Sequence, residues 1–540
     1  MMRLVTRISS FCIVLIISTL PAFPQNASST LAQRIEQIMG RPEFRHALFG
    51  IKFYSLDAGR TLYELNADKL FKPASTTKLL TIGTALQTLG ADYRFHTRVY
   101  RTGPIKNGKL EGDLVLVASG DPNLSGRIQP DGTLAFTNED HSYDGDPNTQ
   151  AVPGDPLFVI HELADRIAKQ IPKEIKGRVL VDTSLFPEGE HELGTGIVIS
   201  PIVVNDNIID VTVTPGPTAG TDTSIQVSPV TGYAKFINQV KTGAPDSKPD
   251  VEISSDTTSE DGVHTITFSG TTPAGKPILY AYAVPQPARF AAVVLSEALE
   301  QRGLKVKKSA PQKNDEIGFA ALAQKYTPEN VVAEHVSAPL SEEAKVTLKV
   351  SQNLHASMWP YLLGALVRHA KTDIAQAGFD VENEFLSKAG LDLSGASQSD
   401  GAGGAQGGAY TPNFVIDYLK YMSTQKDYPL FLNALPILGK DGTLWNIQPA
   451  SPAAGHVFAK TGTFSSSNAL NRSRLLTAKG LAGYMTTTSG EHLIFALYVN
   501  RVPLSIAPNE STRVAGQALG EIAASAYDLQ RSQAVASGSQ

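Results

Sequence analysis

The feature that most constrains the fold is a change of pattern part-way along the chain. Up to about Tyr93, and again beyond about residue 285, apolar residues recur at helical spacing or in short strands that can pair. After Tyr93 the chain reads as short strands and turns with one helical pattern at Pro156 to Gln170, and from about 186 to 284 it is rich in Thr, Ser, Gly, Pro and Val and reads as strands with loops. A stretch of that length must bury its own apolar faces. The pattern therefore predicts an α/β domain interrupted by a long insertion, and the 540 residues are enough for more than one core.

Local signals fill in this outline. An amphipathic helix is expected from Ser29 to Met39, then a hairpin of Leu48 to Ser55 and Thr61 to Leu65 around Asp57-Ala58-Gly59-Arg60. A buried helix follows from Thr76 to Leu89. Strands are expected at Thr97 to Thr102, Asp113 to Ala118, Arg178 to Asp182, Ile208 to Thr214 and His264 to Ser269. Helical spacing returns at Ala288 to Gly303, then runs from Glu342 through Ser357 to His369, and again at Asn413 to Met422. A hairpin of Leu481 to Thr488 with His492 to Val499 and a helix from Glu510 to Tyr527 close the chain. The expected fold class is α/β (α+β): an antiparallel sheet flanked by helices, with a largely β inserted accessory region. The expected segments are 1–25 (signal), 26–93 (first part of the main domain), 94–285 (insertion), 286–530 (second part) and 531–540 (flexible tail).

Arg3 and Arg7 precede an apolar run from Phe11 to Leu20 and a small-residue exit near Pro21-Ala22, the pattern of a cleaved secretory signal. The run is too short to serve comfortably as a membrane anchor. The one cysteine, Cys12, lies inside it, so the exported chain has neither disulfide nor thiol chemistry. Loss of the two arginines takes the formal charge from −5 to about −7, which argues against nucleic-acid binding. His161-Glu162 lacks a second histidine four residues after the first, so the zinc-peptidase pattern is absent, and no cofactor or metal is expected.

Three short strings carry the chemistry. Ser75-Thr76-Thr77-Lys78 opens the buried helix just after Pro73, which brings the Lys78 amine beside the Ser75 hydroxyl and places that hydroxyl at the positive end of the helix dipole. Read alone, Ser75 is a helix cap and Lys78 a solvated lysine. Ser351-Gln352-Asn353 falls on the helical pattern that starts near Ser341, and Lys460-Thr461-Gly462-Thr463 follows the short apolar strand His456 to Ala459. Ser-x-x-Lys, Ser-x-Asn and Lys-Thr-Gly in that order are the set found in penicillin-binding proteins and class A β-lactamases. With Asn66 to Leu79, Gly112-Asp113-Leu114, Gly120-Asp121-Pro122, Gly177 to Asp182 and Asp441-Gly442-Thr443-Leu444, they make the chain resemble the low-molecular-mass D-alanyl-D-alanine carboxypeptidase/endopeptidase family of penicillin-binding serine peptidases. That resemblance implies a β-lactamase/transpeptidase-like core, peptidoglycan stem peptides as substrate, β-lactams as acylating inhibitors, and a periplasmic or otherwise extracytoplasmic location. The long separation of Lys78 from Ser351 disfavours a compact β-lactamase.

None of the three strings contains a histidine, so lysine must be the base, and burial beside another cation is a way to keep it neutral. Lys78 is expected to take the Ser75 proton, with Lys460 as the second cation. Ser351 relays the proton to the leaving amine, and Asn353 holds Lys78 and the substrate amide. The N–H groups of Ser75 and Thr463 form an oxyanion hole, and the Thr461 and Thr463 hydroxyls, flanking Gly462, receive the substrate carboxylate. The chain departs from the family at Gln352, where an aspartate is usual, at Ser357, in the loop Asp400 to Gln406, which lacks a serine and an arginine, and in the extra sequence Ser465 to Lys479. These departures also admit a catalytically weak wall-binding protein on the same fold, and a β-lactamase or esterase is a third reading.

Overall fold

The first hairpin of the chain and its last hairpin meet in one antiparallel sheet. In the computed structural model, which describes residues 30–138, 149–307, 318–505, 507 and 509–529, the strand order is Val457–Asn468, Ser473–Thr486, His492–Asn500, Leu48–Ser55, Arg60–Leu65. Leu48–Ser55 pairs along its whole length with His492–Asn500, so residues more than 400 positions apart in sequence form the centre of the sheet. The expected signal and tail lie outside the described residues. No described helix is long and apolar enough to cross a membrane.

Both faces of this sheet are covered, which is why its central strands read as nearly continuous apolar runs. One face packs Phe49, Ile51, Phe53, Leu481 and Leu497 against helices Leu31–Met39 and Gln517–Ser525. The first of these helices starts where it does because Thr30 and Gln33 cap each other reciprocally. The opposite face packs Ala482, Tyr484, Ala496 and Tyr498 against the helix Lys78–Leu89 and its neighbours. Lys78–Leu89 is buried on nearly every side, as its apolar composition requires, and stops at Gly90, whose φ of 89° a glycine adopts without strain.

A second core joins residues of the expected insertion to a helix and a strand that follow it, Pro287–Gln301 and Val331–Val336. Leu114–Val117 lies between His96–Arg101 and, in parallel, Val179–Asp182, while Val331–Val336 pairs with the outer side of His96–Arg101. Helices Phe158–Gln170 and Pro287–Gln301 cover this layer, and Phe290, Val294, Leu299, Val332 and Ala333 belong to its apolar interior. Further strands, Ile208–Thr214 among them, extend the same core.

Two expectations need correction. The continuous helical run from Glu342 to His369 is two helices, Leu340–Lys349 and Asn353–Leu366, broken where Ser351 adopts φ 63°. Both helices bury apolar faces in one core, so the spacing carries across the break and hides it. The extra sequence Ser465 to Lys479 lengthens the hairpin of Val457–Asn468 with Ser473–Thr486, which pairs from Val457↔Met485 to Asn468↔Ser473 with one irregularity after Phe464. The expected final helix is borne out, helical from Glu510 to Ser525 with a wider π-helical turn at Thr512–Gly516 inside it.

Candidate active site

Ser75 lies in a 3₁₀ turn, Ala74–Thr77, that leads directly into Lys78–Leu89. Thr76 closes the turn by donating its N–H and its hydroxyl to Pro73 O at 3.2 and 2.8 Å. Beside the turn runs the edge strand Val457–Asn468. The approach is so close that a Cβ on Gly462 would sit 2.4 Å from Pro73 O and 3.2 Å from Ser75 N. Only glycine lets the strand lie against the nucleophile turn.

Lys78 is completely buried, and its Nζ lies 2.7 Å from Ser75 Oγ, 2.7 Å from Asn353 Oδ1 and 3.2 Å from Ala402 O. On the other side, Lys460 Nζ lies 2.8 Å from Ser351 Oγ and 2.9 Å from Thr461 O. Thr461 donates its hydroxyl to Thr443 at 2.8 Å. The structure thus brings together the eight residues expected from sequence: Ser75, Lys78, Ser351, Asn353, Lys460, Thr461, Gly462 and Thr463.

Electrostatics differ in one respect from expectation. Burial lowers the Lys78 ammonium to about 8, and the carboxylates of Glu192 and Asp400 oppose a further fall. Repulsion between the lysines falls instead on Lys460, which burial first, and then Lys78 and Lys479, push well below the usual lysine value. Lys78 is therefore half neutral near pH 8, a state in which its amine can accept the Ser75 proton.

The Asp400 loop is held in shape without the missing serine and arginine. The Asp400 carboxylate accepts the backbone N–H groups of Ala402 (2.7 Å), Gly403 and Ala405, winding the loop about itself. The wound loop directs Gly401 O to Thr81 and Ala402 O to Lys78. Gly403 has φ 88°, and a Cβ there would overlap Ala74 O at 1.9 Å, so the loop also rests on the nucleophile turn.

Three contributors escape a motif-based reading. Lys479, opposite Thr463 on the neighbouring strand, is buried and donates to Thr463 Oγ1 at 2.7 Å, and burial lowers it to about 8. Its alternation with buried Leu481 on an apolar strand is the one sequence signal that marks it as inward-facing. Glu192, from the insertion, is buried with its carboxylate capping its own turn at Gly194 and Thr195. Asp206, also from the insertion, receives hydrogen bonds from Gln352 and His355. Among the described residues no cluster of His, Cys, Asp and Glu has the arrangement of a metal site.

A nucleophile–lysine pair at a helix start, facing an edge-strand lysine bonded to a serine in a break between two helices, is the geometry against which known proteins can be compared. The profile of the D-Ala-D-Ala carboxypeptidase 3 (S13) family matches residues 31–519. The chain belongs to that family. Its membership makes it a serine-type D-Ala-D-Ala carboxypeptidase by class. It is 28% identical over 492 residues to a D-alanyl-D-alanine carboxypeptidase of Actinomadura sp. (strain R39), covering 87% of this chain and 81% of that one. It is 23% identical to D-alanyl-D-alanine carboxypeptidase DacB of Haemophilus influenzae, with 92% of each chain covered. A penicillin-sensitive carboxypeptidase A of Dictyostelium discoideum is 24% identical, covering 76% of this chain and 75% of that one. The crystal structure of penicillin binding protein 4 (dacB) from Haemophilus influenzae superposes with a TM-score of 0.68 at 20% identity, over 93% of this chain and all of the other, which shows the shared fold. A second structure of that protein holds a β-lactam.

Proposed function

We propose that the chain is an exported, penicillin-sensitive serine DD-peptidase that releases the terminal D-alanine of peptidoglycan stem peptides, and cuts D-alanyl crosslinks, through an acyl-Ser75 intermediate. The observation that carries this reading is the position of Lys78 Nζ, 2.7 Å from both Ser75 Oγ and Asn353 Oδ1 in a site where burial lowers its pKa to about 8. Neutral Lys78 takes the proton as Ser75 Oγ attacks the penultimate D-alanyl carbonyl. The N–H groups of Ser75 and Thr463 hold the oxyanion, and Ser351, oriented by Lys460, passes the proton to the departing D-alanine amine. Water then enters by the same route and hydrolyses the ester.

The terminal carboxylate is received at Thr461 and Thr463, where Lys479 adds a cation that has no carboxylate partner among the described residues. The Asp400 loop, by supplying Ala402 O to Lys78, favours catalysis over a binding-only role. Export rests on the basic and apolar N-terminal pattern, with a periplasmic or otherwise extracytoplasmic destination, and penicillin sensitivity on the β-lactam held by the relative of the same fold. Incubation with pentapeptide and crosslinked muropeptides, followed by mass analysis, tests the whole reading. Loss of one alanine residue and resolution of crosslinks are expected, and unchanged muropeptides with the purified full chain would overturn it.

A further inference from the structure

The second motif stands in an awkward backbone position. Ser351 has φ 63°, a conformation that serine does not choose unless its flanks are held. Behind it lies a second left-handed turn, from the insertion: Asn205, Asp206 and Asn207 have φ 49°, 53° and 55° in succession. Asn and Asp bear this conformation better than other non-glycine residues, and here the turn is fixed by side chains. Asn207 Oδ1 accepts Val204 N–H at 3.2 Å, and Asn207 Nδ2 donates to Ile202 O at 3.2 Å.

What the turn presents is the Asp206 carboxylate. Its Oδ2 accepts Arg127 Nη2 and Gln352 Nε2, each at 2.9 Å, and its Oδ1 lies 3.1 Å from His355 Nε2. The other ring nitrogen of His355 lies 3.3 Å from Glu343 Oε1, and Glu343 accepts Thr347 Oγ1 at 2.7 Å and Asn123 Nδ2 at 2.6 Å. Arg127, Asp206, His355 and Glu343 are all at most 3% exposed. Burial alone would lower the His355 imidazolium, but Glu343 and Asp206 outweigh it and raise it to about 9, so two cations face two carboxylates. A buried ionic cluster is a poor way to gain stability against apolar side chains of the same volume, and its best-attested use is to impose one geometry.

That geometry reaches the chemistry through Gln352. Its Oε1 accepts Leu354 N–H at 3.1 Å, capping the helix Asn353–Leu366, while its Nε2 is anchored on Asp206. Both ends of the side chain are used, on either side of the residue that faces Lys78. The insertion also touches Asn353 directly, since a Cβ on Gly194 would lie 2.7 Å from Asn353 Nδ2. We propose that Asp206, acting through Gln352 and His355, is the positioning residue of the second motif: it holds Ser351 in its left-handed backbone and Asn353 Oδ1 on the Lys78 amine. The inserted region is thereby a structural part of the active site. The substitution of glutamine for the family's usual aspartate at 352 is the adaptation to a carboxylate supplied from outside the motif. This inference rests on the reading of Ser75 as the acylated nucleophile.

Rapid-mixing acylation of the full chain by a fluorescent penicillin tests it, because the method separates the dissociation constant of the first complex from the acylation rate constant. Asp206→Asn removes the charge that faces Arg127 and His355, and Gln352→Glu sets two carboxylates against each other. Each is expected to slow the acylation step by about tenfold or more while moving the dissociation constant less than about threefold. The combined exchange, D206N with Q352E, restores one carboxylate and one amide in reversed places and is expected to recover the rate to within about threefold. Gln352→Ala, which leaves Asp206 its other partners, must show the same slowing if either charged variant fails to fold. Folded variants that acylate at the wild-type rate, or a loss that the exchange does not restore, would overturn the inference. A wild-type chain that is not acylated at Ser75 would overturn the reading beneath it and this inference together, whereas acylation at Ser75 with unaffected variants would overturn this inference alone.

Discussion

The two halves of the active site are held in place by different physics. Ser75 and Lys78 are set by regular structure: a 3₁₀ turn entering a buried helix, and an edge strand whose Gly462 permits contact. Ser351 and Asn353 are set by an irregular break between two helices, braced by a buried charge cluster that includes Asp206 and Arg127 of the insertion. Lys349, just before the break, is also tied down, with Nζ 2.7 Å from Asp441 Oδ2. The difference teaches that a site on one fold can combine a half set by regular structure with a half set by buried charge pairs. Lys78 is a buried cation kept for chemistry, whereas His355 is a buried cation kept for geometry.

The largest test of this contrast is Lys78→Met. Loss of the base is expected to lower the acylation rate by about 10³-fold, within the usual range for a general base, while the melting temperature holds or rises because a desolvated amine has been replaced by an apolar chain. A variant that loses stability as well as rate would place Lys78 in the structural half. Gly462→Ala comes next. The added Cβ meets Pro73 O at 2.4 Å, so the strand must move off the nucleophile turn, and a fall in acylation of about 10²-fold is expected, read with the same penicillin.

His355→Leu should show the reverse signature. Breaking the cluster leaves Asp206 and Glu343 without one cation, and a loss of about 3–5 kcal/mol in unfolding free energy is expected, measured by denaturant titration. The two cations also have opposite linkage to pH. His355 is raised in the folded state from 6.5 to about 9, so its contribution is complete below pH 6.5 and lost as pH rises through about 9. Lys78 is lowered from 10.5 to about 8, so the folded state gains stability as pH rises from about 8 to 10.5. The wild-type dependence between pH 6.5 and 9 should therefore shrink in His355→Leu and remain in Lys78→Met. The smallest effect is expected at Lys479. Lys479→Met should raise KM for a D-Ala-D-Ala peptide by about tenfold with little change in kcat, and should leave turnover of the same peptide amidated at its C-terminus unaffected. Equal loss on both peptides would deny Lys479 its role with the carboxylate.

The same division decides what could be read from the amino acids. The hairpin Leu48–Ser55 with Arg60–Leu65 and the helix ending at Leu89 match expectation because turn residues, caps and apolar period act within a few residues of one another. The three short strings single out Ser75, Lys78 and Lys460 for the same reason, and the fold brings Lys78 to Ser75 and Lys460 to Ser351. The break at Ser351 is invisible because the apolar spacing of Leu340–Lys349 continues in phase with that of Asn353–Leu366. The Asp206 cluster is invisible because its members are far apart, with 146 positions between Asp206 and Gln352, and no local period links them. Helix Ile374–Lys388 carries no strong stripe, because its apolar face is shared with the large core. Gln352 reads as a departure when only the motif is in view, and as a fitted part once Asp206 is placed beside it.

The most direct test of the account is to label the full chain with a fluorescent penicillin across pH, digest it, and locate the label by peptide mass. Label on the peptide carrying Ser75, absent from Ser75→Ala and formed at a rate that climbs with pH to a midpoint near 8, is the expected result. Label on any other residue, or label that persists in Ser75→Ala, would contradict the account.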